Sequence, residues 1–201
     1  MTAPALTFAP DTHEYRLGTT PLVSVTTFLR ALGVVTVADA PEARLSFARD
    51  RGTAVHLCVQ FQSEGRLDPT SVAPELAGYL FAFDQFCCAH HGDYVPERVE
   101  MPLCDPILGF AGTPDTAGPL QGIASVIDVK TCPPQPGHFV QLAAYRHLLN
   151  ANGYPVSRRF LLQLKADGTF GLHEGRDRLD DAEFRAALLL YKRHHQRGDL
   201  A

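Results

Sequence analysis

The apolar positions of this chain change their spacing from one stretch to the next, and each change marks an element. Glu14 to Leu17, a Gly18-Thr19-Thr20 turn and Pro21 to Val23 read as a β-hairpin. Ser24 then caps a helix carrying Thr27, Phe28, Leu29 and Leu32, which Gly33 closes. Residues 34–40 read as a loop, and Pro41-Glu42 open a helix with Leu45, Phe47 and Ala48. Gly52 interrupts that pattern, and a second helix follows with Val55, Val59 and Phe61. Pro74 and Glu75 begin another helix, with Leu76, Leu80, Phe83 and Phe86 on one stripe, ending near Gly92. Tyr94 to Leu103 reads as an edge strand broken by Pro96 and Pro102, and Leu108 to Asp115 as a further strand.

The most apolar strand starts at Ile123 and contains two charges, Asp128 and Lys130. Residues two apart on a strand share a face, so these two side chains project together while Val129 turns to the core. A turn through Ala117-Gly118-Pro119 and Gln121-Gly122 brings Asp115 beside Asp128. A Pro-rich loop follows, then a helix from His138 to Asn150 stopped by Asn152-Gly153. Gln141 and Tyr145, four apart, share one face of it. Arg158 to Lys165 and Thr169 to His173 form a hairpin around Asp167-Gly168. The last helix, Asp180 to Gln196, opens on the capping-box pair Asp180 and Glu183.

Composition narrows the class. A chain of 201 residues, 45% hydrophobic and 20% charged, fits one globular domain, 1–201, with an N-terminal hairpin and helix over 1–40 and a core over 41–200. No apolar run approaches the ~18–20 residues of a membrane span, and no secretory leader is legible. A reducing, cytoplasmic compartment is expected. The five cysteines have no metal-binding or disulfide spacing. The net charge of −4 argues against a surface that is basic throughout, though not against a local groove. Lysine occurs three times against fifteen arginines, so the lysine beside Asp128 stands out: lysine can share a proton where arginine cannot.

Two carboxylates and a lysine at a strand pair suit a hard cation with oxygen ligands. The bland reading is an internal Asp128–Lys130 ion pair with Asp115 solvated in a turn. Further residues tip the balance. Arg51-Gly52-Thr53-Ala54-Val55-His56, Glu100, Gly112-Thr113-Pro114-Asp115, Asp128-Val129-Lys130-Thr131 and Gln141…Tyr145 occur in this order. Together they resemble the PD-(D/E)XK nuclease superfamily, in its RecB-type and phage exonuclease branch, over about residues 13 to 150. The superfamily allows Glu or Asp before x-Lys, and here the residue is Asp128.

The resemblance implies an α/β, restriction-endonuclease-like core: a central mixed β-sheet flanked by helices on both faces. It implies a metal-dependent deoxyribonuclease, an exonuclease acting on DNA ends or single strands in phage DNA processing, recombination or repair. One or two Mg²⁺ or Mn²⁺ ions are expected on His56, Asp115, Asp128 and the Val129 carbonyl. Lys130 orients or helps deprotonate water, and Gln141 and Glu100 support the catalytic set with Asp115 and Asp128. Thr113, Thr131 and Tyr145 are expected near the DNA. No iron–sulfur cluster is expected, because no cysteine follows Cys132. Beyond DNA, the expected partners are a second copy of the chain or a recombination or replication protein. The runner-up is a nuclease-fold subunit that binds DNA or an assembly without cleaving; a hydrolase of small phosphate esters is the third reading.

Overall fold

The computed structural model describes residues 4–35 and 42–197, with the side chains of Gln196 and Arg197 excepted. Pro41, most of the expected 34–40 loop and the extreme termini lie outside the described residues. The N-terminal strands are β1 (Leu6–Ala9), β2 (Glu14–Leu17) and β3 (Thr20–Ser24), followed by α1 (Val25–Ala31). Ser24 caps α1 as expected, its hydroxyl accepting from the Thr27 N–H at 3.1 Å. The expected break at Gly52 is absent. One continuous helix, α2, runs Glu42–Ser63 through it, and a single interior glycine, worth about 1 kcal/mol against alanine, does not stop a helix of this length. Two short 3₁₀ turns lead into α3 (Ala77–Ala89).

The middle of the chain supplies β4 (Arg98–Val99), β5 (Leu103–Asp105), β6 (Phe110–Gly112), β7 (Thr116–Leu120) and β8 (Ile123–Lys130). Then come α4 (Pro136–Ala151), β9 (Arg158–Leu164), β10 (Phe170–Glu174) and α5 (Leu179–Arg197). The strands form two sheets, ordered β1-β2-β3-β6-β5 and β10-β9-β8-β7-β4. In the second, β8 and β9 are parallel and the other pairs antiparallel, which makes it a mixed sheet. Val126 and Leu161 on one face pack with α1, α4 and α5; Ile127, Val129, Phe160 and Leu162 on the other pack with α2 and α3. This is the mixed sheet with helices on both faces that the sequence implies.

Ala117, Gly118 and Pro119 are strand residues, not a turn. The β7–β8 turn is Gln121-Gly122 alone, both at positive φ, as a two-residue hairpin loop requires. Gly118 is needed for packing: a β-carbon there would sit on the carbonyl of Val95, whose N–H donates to Pro119 O at 3.0 Å. Gly118→Ala should therefore destabilise the fold by about 2–3 kcal/mol, read from urea midpoints; an unchanged midpoint would contradict this packing.

The start of α5 also differs from expectation. Asp177 Oδ1 accepts the Leu179 N–H at 2.8 Å, while Asp180 turns inward to the buried Arg159, 3.0 Å away. Arg159 is 2% exposed, so a carboxylate partner outweighs the local capping preference of Asp180.

The broken strand expected over Tyr94–Leu103 has a structural purpose. The chain leaves the second sheet after β4, passes through Glu100 to Pro102, and enters the first sheet as β5. It returns through Thr113, Pro114 and Asp115 between β6 and β7. The two crossings lie side by side, with the Glu100 N–H donating to Asp115 O at 3.0 Å. Both candidate carboxylates thus sit where backbone leaves regular pairing.

Candidate active site

Asp115 precedes β7, whose first residue, Thr116, pairs with Ile127; continuing that register places Asp115 opposite Asp128. Its Oδ2 accepts the Val129 N–H at 2.6 Å. The glycine of the Gly-Thr-Pro-Asp motif lets α4 approach: a β-carbon on Gly112 would lie 2.9 Å from the Tyr145 ring. Gly52 of α2 rests near Thr131, just beyond β8, where a β-carbon would make only an ordinary contact, 3.9 Å from the hydroxyl. Gly52 and His56 are four apart and share a face. His56 therefore meets the strand ends, its Nδ1 3.3 Å from Asp115 Oδ2.

His56, Glu100 and Asp115 converge, their ligand atoms all within 4.8 Å of one another. Asp128 and Lys130 lie alongside as the shared strand face predicts, with Nζ 2.6 Å from Oδ2. Asp128 is 1% exposed, and its Oδ2 has no aligned hydrogen bond despite the nearby ammonium. The contact is a charge pair rather than a satisfied bond. Sequence reasoning put Asp128 in the metal set and Glu100 in support; the convergent trio instead contains Glu100 and leaves Asp128 with Lys130. Val129 takes part through its N–H to Asp115.

The electrostatics follow from three carboxylates crowded with two cations. Burial, then the Asp115 charge, pushes the Glu100 carboxyl up to about 8. Burial pushes Asp128 up to about 6, with Lys130 opposing and Asp115 adding. At Asp115 burial also acts upward, but His56, Lys130 and the Val129 N–H outweigh it and hold the carboxyl below its ordinary range. His56 and Lys130 are disfavoured as cations by burial, yet the carboxylates raise both. The Asp128 and Asp115 charges favour the Lys130 ammonium, which suits the role of orienting water. Glu100 also sits at φ +46°, an uncommon conformation for a non-glycine residue.

A hard divalent cation fits this donor set. It would let Glu100 ionise and relieve the repulsion among the carboxylates. Two carboxylates with one imidazole are ordinary ligands for Mg²⁺ or Mn²⁺.

The remaining expected residues fall into two groups. Gln141 is beside the site but buried, donating from Nε2 to the Tyr145 hydroxyl at 2.9 Å. Tyr145 is 5% exposed and packed among α1, β6 and α4 side chains, which corrects the expectation that it lies near DNA: its hydroxyl holds Gln141 and its ring is core. Thr113 bonds the buried Tyr15 hydroxyl at 2.7 Å, and Thr131 is half-buried beside Gly52. Two residues escaped sequence reasoning. Gln163 lies in register with Lys130 on the neighbouring strand β9. His138 lies one turn before Gln141 on α4; the i, i+3 spacing was the available signal.

No protein-family model and no curated protein matches this sequence. Among solved structures, the chain is similar to an exonuclease-designated protein from Eubacterium rectale, at TM-score 0.52 and 10% identity, over 88% of this chain and 79% of that one. It is also similar to an alkaline exonuclease from Laribacter hongkongensis, at TM-score 0.46 and 15% identity, over 88% and 89%. The first likeness extends to the α/β fold. Among the described residues no helix is long and apolar enough to cross a membrane.

Proposed function

We propose that this protein hydrolyses DNA phosphodiesters with Mg²⁺ or Mn²⁺, as an exonuclease working on ends or single strands. The observation that carries this reading is the convergence of His56, Glu100 and Asp115 within 4.8 Å, with the Asp128–Lys130 pair alongside. His56, Glu100 and Asp115 would hold the ion, joined by Asp128 and the Val129 carbonyl. When bound, the ion supplies Lewis acidity and screens charge on the phosphoryl oxygens. In the reaction, the oxygen of water bonds to phosphorus, one ester P–O bond breaks, and a proton from the water ends on the leaving oxygen. Lys130 directs an ammonium hydrogen at the water or at a phosphoryl oxygen, held in place by Asp128. Gln141, held by the Tyr145 hydroxyl, would help set the orientation of the phosphate.

A second observation favours nucleic acid over a small ester. A groove of about 900 Å³ between the N-terminal hairpin and the end of α5 carries His13, Arg16, Lys192 and His195 on its walls. It adjoins the site through Tyr15, whose hydroxyl bonds Thr113. Arg16 and Lys192 give a phosphate backbone two cationic contacts there, with Glu14 on the same groove opposing them and burial and Arg30 holding His13 toward its neutral form.

The test is incubation of end-labelled single- and double-stranded DNA and RNA with the protein in Mg²⁺, Mn²⁺ or chelator. Stepwise shortening of DNA with either metal, and none in chelator, is expected. Intact substrates with a folded protein would overturn the enzymatic reading in favour of a DNA-binding subunit. Hydrolysis of small phosphate esters alone would point to the third class.

A further inference from the structure

We infer that His138 is a neutral hydrogen-bond donor to the substrate phosphate beside Lys130, an assignment that rests on the nuclease reading above. His138 stands at the third position of α4, where Gln135 caps the helix. Its Nδ1 accepts the Gln135 N–H at 3.2 Å. That bond fixes the tautomer, because a ring nitrogen that accepts cannot carry the proton. The proton is therefore on Nε2, across the ring and away from the cap.

Nε2 has no hydrogen-bond partner among the described residues, although the side chain is 5% exposed. It is not one of the buried polar atoms sealed from solvent, so this donor remains accessible. Water satisfies such a donor in the free protein, and a better acceptor can take the bond in its place.

The location indicates what would take it. His138 precedes Gln141 by three residues on the same helix face, and it lies close enough to Lys130 to feel its charge. Burial, with Lys130 adding, holds its imidazole down to about 4, so it stays uncharged through neutral pH. An uncharged N–H is suited to this place: it bonds a phosphate oxygen without repelling Lys130 or a divalent ion. The N-terminus of α4, a helix of 16 residues, adds a positive dipole end on the same side. Position along the chain is also constrained, since a β-carbon on Gly137 would sit on the Val34 carbonyl, which locks this helix turn in place. The proton of His138 is not transferred; the residue donates a hydrogen bond and keeps it.

Two substitutions separate this role from capping. In His138→Asn the amide oxygen replaces Nδ1, so the cap survives and the Nε2 donor is lost. In His138→Gln the amide reaches the Nε2 position, so the donor survives and the cap is weakened. Cleavage of labelled DNA in Mn²⁺ and the melting temperature are measured for wild type and both variants. We expect His138→Asn to melt like wild type but to cleave about 10²-fold more slowly, and His138→Gln to melt lower yet stay within about tenfold of the wild-type rate. An Asn variant as fast as wild type, or rates that simply follow the melting temperatures, would leave His138 a cap and overturn the inference. If wild type cleaves no nucleic acid in either metal, the nuclease reading itself falls, and this inference with it.

Discussion

Asp115→Asn, Asp128→Asn and Lys130→Ala should each slow DNA cleavage by about 10³-fold or more, corresponding to about 4 kcal/mol of lost transition-state stabilisation. The three replacements act by different routes. Asn at 115 retains an oxygen to accept the Val129 N–H but removes the negative charge that His56 and a cation share. Asn at 128 leaves the Lys130 ammonium without the charge that positions it. Ala at 130 removes the ammonium that would orient water or a phosphoryl oxygen and leaves the carboxylates and His56 in place. Lys130→Ala should therefore keep its affinity for Mn²⁺, since an ammonium is not a ligand, whereas Asp115→Asn should not. The measurements are single-turnover cleavage, Mn²⁺ calorimetry and circular dichroism. A folded variant of any of the three cleaving within threefold of wild type would remove that residue from the proposed machinery.

Glu100→Gln should make the metal-free protein more stable at alkaline pH while abolishing its response to metal. The Glu100 carboxyl has a folded pKa near 8 against an ordinary value of 4.5, so the folded state holds a proton that the unfolded chain has released. Stability through this group falls as pH rises from about 4.5 and is lowest above about 8. The raised imidazole of His56 acts in the same direction, its contribution being lost as pH rises through its folded value. Glutamine cannot ionise, so the variant escapes the Glu100 part of this loss. At pH 8.5 in chelator its melting temperature should exceed wild type by at least about 3 °C. Added Mn²⁺ should raise the wild-type melting temperature by binding the folded state, and raise the variant much less. A variant that melts lower than wild type in chelator, or gains as much from Mn²⁺, would show that Glu100 neither strains the empty site nor holds the ion.

Much of this was legible in local pattern. The charges at 128 and 130 stood out because a strand so apolar should carry none, and alternation alone put them on one face. The hairpins at Gly18 and at Asp167-Gly168, and the Ser24 cap, follow from turn and cap chemistry that acts over four residues or fewer. Those are short-range effects, and the tertiary fold had no reason to override them.

Where sequence reasoning failed, a distant partner had decided the outcome. Gly52 reads as a break when only its helix propensity is weighed; packing along a 22-residue helix carries α2 through it. Asp180 and Glu183 form a correct capping pattern, but Asp180 turns to Arg159, a buried charge from another element that needs it more. Tyr145 has the spacing of an exposed partner to Gln141 and is instead filled in over Gly112.

The sequence by itself determined most of the elements, the shared face of Asp128 and Lys130, and the nearness of Asp115, because period and turn chemistry are local. Only the tertiary structure decided which groups meet. Glu100 joins His56 and Asp115 because two sheet crossings, far apart in sequence, lie side by side. Their carboxyls acquire unusual proton affinities only in that company, since burial and neighbouring charge exist only once the chain has folded.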